Sequence, residues 1–176
     1  ASETQEFGAV VLAGGYTNFD GAKYGEYGYG RYPGVIAGID FEQNSEEILK
    51  KPIKTALFIK CVGARDRSKG MPYCSKVCCM DIRANFKNGE EFVRAAMEED
   101  RINYIRGRVA KIFPNLDNGR LTVRVEDTLL STPLEIDSDL VVLATAMMPA
   151  KSTNALAEKL GGKVDVNGFV TAAPLA

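Results

Sequence analysis

The 176-residue chain contains no histidine. Without an imidazole, a Ser-His-Asp or Cys-His catalytic unit is impossible, and so is any His-ligated zinc, haem or non-haem iron site. The chain also lacks an excess of charge of either sign: 22 Lys and Arg stand against 23 Asp and Glu, a formal net charge of −1. That balance leaves no electrostatic footprint for a polyanion, and nucleic acid is not an expected partner. No apolar run reaches the length of a membrane span, and the first six residues are polar and acidic, unlike a signal peptide. Direct membrane insertion is therefore not expected, and the expected compartment is the reducing cytoplasm. With 45% hydrophobic and 26% charged residues the composition is that of a globular protein, and the length alone favours a single domain. Chemistry has to come from carboxylates, Lys or Arg, hydroxyls, the backbone, a bound cofactor, or cysteine.

Cysteine is scarce but concentrated. Cys61, Cys74, Cys78 and Cys79 fall inside a 19-residue window, CVGARDRSKGMPYCSKVCC, and the rest of the chain has none. A secreted disulfide scaffold would spread its cysteines, whereas clustered cysteines in a reducing compartment point to metal binding or redox work. Four thiolates suit either a structural zinc or a [4Fe–4S] cluster. Zinc sites usually use two C-x2-C knuckles, and this spacing, C-x12-C-x3-C-C, has none. The vicinal pair Cys78-Cys79 is awkward for a knuckle and acceptable to a cubane, so the cluster is the favoured reading. Lys60, Arg65, Arg67, Lys69 and Lys76 surround the window and would favour thiolates. Three alternatives stay open: a bound zinc, a redox disulfide between Cys74 and Cys78, and Cys78 or Cys79 acting as small buried hydrophobes.

Three apolar runs predict strands buried on both faces, as in a parallel sheet: Ala9–Ala13, Ala56–Ile59 and Leu140–Ala144. The first and third are near copies, AVVLAGGY and LVVLATAM, each ending in small residues of the kind that open a crevice. Residues 14–38 hold 8 of the 17 glycines and 5 of the 7 tyrosines, too much glycine for a helix or strand interior. This long loop either folds back on its own core or presents Tyr16, Tyr24, Tyr27, Tyr29 and Tyr32 to a partner or a flat ring. Helices are expected at Ile39–Leu49, from Asn88 through Met97, and from Ser152 or Thr153 to Gly161. Between Ile102 and Ile136 the alternation of Leu121, Val123 and Val125 with charged residues predicts an antiparallel meander turning at Asn118-Gly119. A last hairpin is expected at Asn167-Gly168.

With these elements in place, the sequence resembles the A subunits of heterodisulfide reductases and their relatives, which include flavoprotein subunits of quinone-interacting oxidoreductase complexes. The resemblance rests on AVVLAGGY, AKYGEYGYGRYPGVI, the cysteine window, DIRANF, INYIRGRV, DLVVLATAMMP and NGFV, and covers nearly the whole chain as the central stretch of the family's flavin module. It implies an α/β fold, partly thioredoxin-reductase-like, with a mostly parallel sheet and an antiparallel meander. On that plan residues 1–52 belong to an FAD-binding subdomain, residues 53–150 to a second dinucleotide-type subdomain with the cysteine insertion, and residues 151–176 return toward the first. The resemblance also implies that Cys61, Cys74, Cys78 and Cys79 ligate a [4Fe–4S] cluster. It implies further that Gly14, Gly15, Thr145, Ala146 and Met147 approach FAD, and that the partners are other subunits of an electron-transfer complex, through which any membrane association would run.

The departures matter as well. The family's G-x-G-x-x-G fingerprint is absent, Ala144-Thr145-Ala146 stands where most members have Ala-Thr-Gly, and Met80 joins Asp81 where relatives carry a further helix and strand. Taken alone, the chain is expected to bind FAD weakly and not to turn over substrate. A different class of reading remains beside this one, a non-catalytic docking or structural module whose cysteines are empty or hold zinc. An NAD(P)-dependent reductase is weaker still, because Cys61-Val62-Gly63 lacks the glycine triplet of a dinucleotide turn.

Overall fold

A computed structural model describes residues 5–75, 94, 97–99 and 102–171. In chain order these residues form β1 (Tyr16–Asn18), β2 (Val35–Ala37), α1 (Gly38–Leu49), β3 (Ala56–Val62), β4 (Gly107–Pro114), β5 (Leu121–Asp127), β6 (Thr132–Ser138), β7 (Leu140–Thr145), β8 (Met147–Pro149), α2 (Lys151–Lys159), β9 (Lys163–Val164) and β10 (Val170–Thr171). The result is a mixed α/β chain with both parallel and antiparallel sheets. It divides into two units, Phe19–Ala146 and Ala1–Asn18 with Met147–Ala176.

In the larger unit, β7 lies between β2 and β3 with both neighbours parallel to it; Val35 pairs with Val141 and Ala56 with Leu140. A central parallel strand has no solvent face, which is why LVVLA is apolar without alternation. Val141 and Leu143 are fully buried, each contributing about 1.5–3 kcal/mol of burial free energy. Helix α1 packs on β7, and its Phe41 meets Phe58 of β3 edge-on at 5.5 Å. The meander β4-β5-β6 is antiparallel, with Gly119 at φ 68° in its first turn. Ile112, Leu121, Val123 and Val125 are buried while Arg124 and Glu126 face outward, the period-2 pattern of a half-buried sheet. Asp139, between β6 and β7, accepts the N–H groups of Lys54 and Thr55 at 2.9 and 2.8 Å and the Arg120 Nε–H at 2.8 Å. These hydrogen bonds, the one from Thr55 first, hold its carboxyl below the ordinary range and fix the start of β3 against the meander.

In the smaller unit, β1 pairs antiparallel with β8, Tyr16 opposite Pro149 and Asn18 opposite Met147. Helix α2 starts at Lys151, one or two residues before the expected position. Thr153 does not cap it; the threonine hydroxyl donates to the Gly14 carbonyl at 2.7 Å. The β9-β10 hairpin turns at Gly168 (φ 86°), where the Asp165 carboxylate accepts the N–H groups of Asn167 and Phe169.

One expected strand is absent. Residues 9–13 are not a strand, and Val10 and Val11 are 65% and 90% exposed. An apolar run becomes a strand only where its backbone finds a ladder. Among the described residues no strand pairs with residues 9–13. The parallel portion is accordingly a single three-stranded sheet, and the other three described sheets are antiparallel. The helix expected after Asn88, the Met80–Asp81 junction, Cys78 and Cys79 lie outside the described residues, apart from Arg94, Met97 and Glu98, which are helical. Among the described residues no helix is long and apolar enough to cross a membrane.

Candidate metal centre and cofactor cleft

The last residues of β3 leave the regular ladder. Pairing with β7 runs in step from Ala56 to Ile59, then shifts by one before Val62 meets Thr145. The extra residue is a bulge, a device that re-aims a side chain. Within it Cys61 sits at φ 60°, a left-handed conformation uncommon outside glycine. Gly63 (φ 84°) and Arg65 (φ 57°) follow, giving three positive φ values in five residues. Backbone held this way clusters at functional positions.

A tight hairpin follows. Asp66 and Met71 exchange backbone hydrogen bonds at 2.8 and 3.0 Å, and the Arg65 N–H donates to the Tyr73 carbonyl at 2.8 Å. This ladder returns the chain so that Cys74 follows directly on the residue bonded to Arg65. Cys61 lies four residues before this ladder and Cys74 directly after it, Cys61 half-buried and Cys74 exposed. The turn is closed by the Asp66 side chain, which accepts the Ser68 N–H at 2.9 Å and the Ser68 hydroxyl at 2.6 Å. Arg65, Arg67 and Lys69 are exposed around it. Among the described residues no three acidic or cysteine side chains converge as a metal site; Cys78 and Cys79, which would complete the set, lie outside them.

Two of the five tyrosines of the tyrosine–glycine segment are core residues. Tyr24 and Tyr27 are buried and stacked at 5.1 Å with an interplanar angle of 10°, and Phe19 tilts against Tyr24 at 5.9 Å. Tyr29 and Tyr32 are half-buried, and only Tyr16 is exposed. The Tyr24 hydroxyl donates to Asp66 Oδ2 at 2.5 Å, the Tyr27 hydroxyl to the Val109 carbonyl at 3.4 Å, and the Lys69 ammonium lies 4.9 Å from the Tyr24 ring centre. Burial, and next the bond to Asp66, push the Tyr24 phenol up to about 12. The Ser68 and Tyr24 hydroxyls hold the Asp66 carboxyl down at about 2.

These shifts set the pH behaviour. Between about 10 and 12 the folded chain keeps the Tyr24 proton that the unfolded chain releases, so this contribution is full below about 10 and lost as pH rises through 12. Asp66 acts in the opposite limb: its contribution is present above 3.8 and lost as pH falls through about 2. Urea midpoints measured across pH should therefore fall in both ranges, and Tyr24→Phe should flatten the alkaline fall.

In the smaller unit, Gly14 and Gly15 line a cleft of about 230 Å³ together with Pro149, Asn154, Gly168 and Phe169. A Cβ on Gly14 would lie 2.2 Å from Thr153 Oγ1, while Gly15 (φ 69°) faces open space. Asn154 Oδ1 is buried beside this cleft and is the one such side-chain atom without a hydrogen-bond partner among the described residues. Of the five residues expected near FAD, Gly14 and Gly15 are brought together here. Met147 lies in β8 of the same unit but does not line the cleft. Thr145 and Ala146 belong to the larger unit, where the Ala146 N–H donates to Val62 and its carbonyl accepts from Phe19, both at 2.8 Å. Nothing in the sequence marks Asn154 or Asp66 as site residues. The separation of Tyr24 and Asp66 by 42 positions leaves no local signal for their contact.

No family profile matches the chain. Over 196 positions it is 38% identical to the A subunit of the H(2)/formate:CoB-CoM heterodisulfide,ferredoxin reductase of Methanococcus maripaludis, a match covering 92% of this chain and 30% of that protein. It is 37% identical to the A subunit of the H(2):CoB-CoM heterodisulfide,ferredoxin reductase of Methanothermobacter marburgensis, covering 94% of this chain and 30% of the relative. It is 36% identical to the iron-sulfur A subunit of the CoB--CoM heterodisulfide reductase of Methanocaldococcus jannaschii, with 92% and 30% coverage. The chain thus spans about 30% of the length of these relatives. The matched span, 196 positions, exceeds the 176 residues of the chain, so the relatives carry residues there that this chain lacks.

Proposed function

Since the chain belongs, over the segment it spans, to the family of heterodisulfide reductase A subunits, we propose that it is part of an iron–sulfur flavoprotein that passes electrons between FAD and a [4Fe–4S] cluster, and on to partner subunits in the cytoplasm. The observation that carries this reading is the bulge that holds Cys61 in a left-handed conformation, followed by the hydrogen-bonded hairpin that ends next to Cys74. When bound, the cluster supplies a one-electron carrier and the flavin a centre that exchanges electrons singly or in pairs.

The residues present fit a cluster in their donor chemistry. Cys61, Cys74, Cys78 and Cys79 would be its four thiolate ligands, and a chain without histidine offers no imidazole in their place. Cys61 is placed by a rigid strand end and Cys74 by a hydrogen-bonded ladder. Exposed Arg65 and Arg67, in the same stretch of chain, would offset part of the negative charge that four thiolates bring.

The cleft at Gly14–Gly15 fits a portion of FAD. Its 230 Å³ is below the 300–1,000 Å³ or so of a complete small-ligand pocket. Its orphan acceptor, Asn154 Oδ1, suits a hydroxyl donor such as those of a ribityl chain. In this reading Gly15, with open space over it, allows close approach of the ligand to the backbone, while the space over Gly14 is taken by Thr153.

A cysteine-to-serine exchange tests the proposal against a docking module with a zinc-filled or empty site. After anaerobic reconstitution with iron and sulfide, Cys78→Ser should bleach the visible absorption of the chain. A chain that never acquires that absorption, or whose absorption the exchange leaves intact, would contradict the cluster.

A further inference from the structure

The tyrosine–glycine segment meets the cysteine hairpin through Phe19, through Tyr24, and through the Lys23 carbonyl, which accepts from the Lys69 ammonium at 3.0 Å. Phe19 fills the space over Gly63, where a Cβ would lie 2.3 Å from its ring. Tyr24 reaches Asp66 at 2.5 Å. Both ends of this second contact are fixed. The Tyr24 ring is 4% exposed and held between Phe19 and Tyr27, and Asp66 Oδ1 is committed to the Ser68 N–H and hydroxyl. Asp66 is also the residue whose backbone opens the hairpin ladder with Met71. Cys61 lies five residues before it, and Cys74 three residues after Met71.

The geometry points to Tyr24 and Asp66 as a positioning pair: their hydrogen bond anchors the cysteine hairpin to the buried aromatic stack and so fixes how Cys61 and Cys74 are presented to a metal. This rests on the reading of those two cysteines as metal ligands. The left-handed backbone at Cys61 and Arg65 needs such an anchor, because surrounding structure must over-determine sparsely populated conformations for them to persist. Outer-sphere hydrogen bonds serve metal ligands in the same way, orienting them before the metal arrives. Arg108 Nη2 approaches the same carboxylate oxygen at 3.3 Å, but it comes from a mostly exposed side chain and adds little. Tyr27 marks the contrast. It is buried in the same stack, yet its hydroxyl points to the Val109 carbonyl in the meander and not to the hairpin.

Cadmium binding to the metal-free 176-residue chain under anaerobic conditions tests the pair without iron, sulfide or turnover, read by thiolate-to-metal absorption in the ultraviolet. Tyr24→Phe keeps the ring and removes the bond; it should weaken Cd2+ binding roughly ten- to a hundredfold. Tyr27→Phe, with a matching loss of a buried hydroxyl, should leave the affinity unchanged. Ser68→Ala frees the other side of the Asp66 carboxylate without touching the stack; it should weaken binding by a smaller factor, and it stands in if Tyr24→Phe fails to fold. Wild-type affinity in a folded Tyr24→Phe chain or in Ser68→Ala, or equal losses in Tyr24→Phe and Tyr27→Phe, would overturn the pair. If the unaltered chain takes up Cd2+ with the expected pattern but assembles no iron–sulfur cluster, the cluster reading fails and the pair stands. If the unaltered chain takes up no Cd2+, the hairpin does not present its cysteines and the pair is overturned.

Discussion

Exchange of Cys61 for serine should abolish cluster assembly while leaving the chain folded. Serine matches cysteine in shape and meets the same backbone conformation at φ 60°, so the bulge is under no new steric demand. What changes is the donor. An alcohol does not ionise near neutral pH and is a poor partner for iron where a thiolate is a good one. Outer-sphere partners of metal ligands are already worth about 10- to 100-fold in metal affinity, so losing a ligand on the rigid strand end should cost at least that. The expected result is baseline visible absorption and an iron content reduced about tenfold or more after reconstitution, with an unchanged far-ultraviolet circular dichroism spectrum. Full iron content in a folded Cys61→Ser chain would remove Cys61 from the ligand set.

Gly63→Ala is expected to be strongly destabilising for a single added methyl. Two independent costs meet there. The backbone is at φ 84°, where a Cβ is disfavoured by about 1–2 kcal/mol. The same Cβ would lie 2.3 Å from the Phe19 ring, and overpacking typically costs about 1–3 kcal/mol. Together these amount to roughly 2–5 kcal/mol, a large share of the 5–15 kcal/mol or so that holds a domain folded. Gly70→Ala is the control: it has a similar φ, 74°, but open space around its Cβ, so only the backbone cost of about 1–2 kcal/mol applies. Urea midpoints at constant slope measure both. Equal losses at the two glycines would mean that Phe19 does not pack over Gly63. Because Gly63 lies two residues from Cys61, the same exchange should also lower iron uptake.

Much of the scaffold is legible in the sequence because its signals are local. The meander announces itself through the alternation around Val123 and the turn at Asn118-Gly119, and β7 through an unalternating LVVLA that suits a central parallel strand. The stop of α2 is marked by Gly161-Gly162, with Gly161 at φ 74°. The near copy at residues 9–13 misleads because hydrophobicity says nothing about whether a ladder partner exists, and no described strand pairs with it.

The candidate site is legible as chemistry but not as geometry. The grouping of the cysteines is plain, whereas the left-handed turn at Cys61 depends on a one-residue register shift against β7 that no spacing rule contains. The tyrosines show the same limit from the other side. Their density suggests either a partner surface or a folded-back loop, and Tyr24 settles into the core because Asp66, 42 positions away, satisfies its hydroxyl. Buried tyrosine needs such a partner, and sequence distance hides it.

The measurement that bears most directly on the central claim is the iron, acid-labile sulfide and zinc content of the chain after anaerobic reconstitution. About four irons and four sulfides per chain, with zinc well below stoichiometric, are expected, as one all-thiolate [4Fe–4S] cluster requires. One zinc per chain with no sulfide would contradict it.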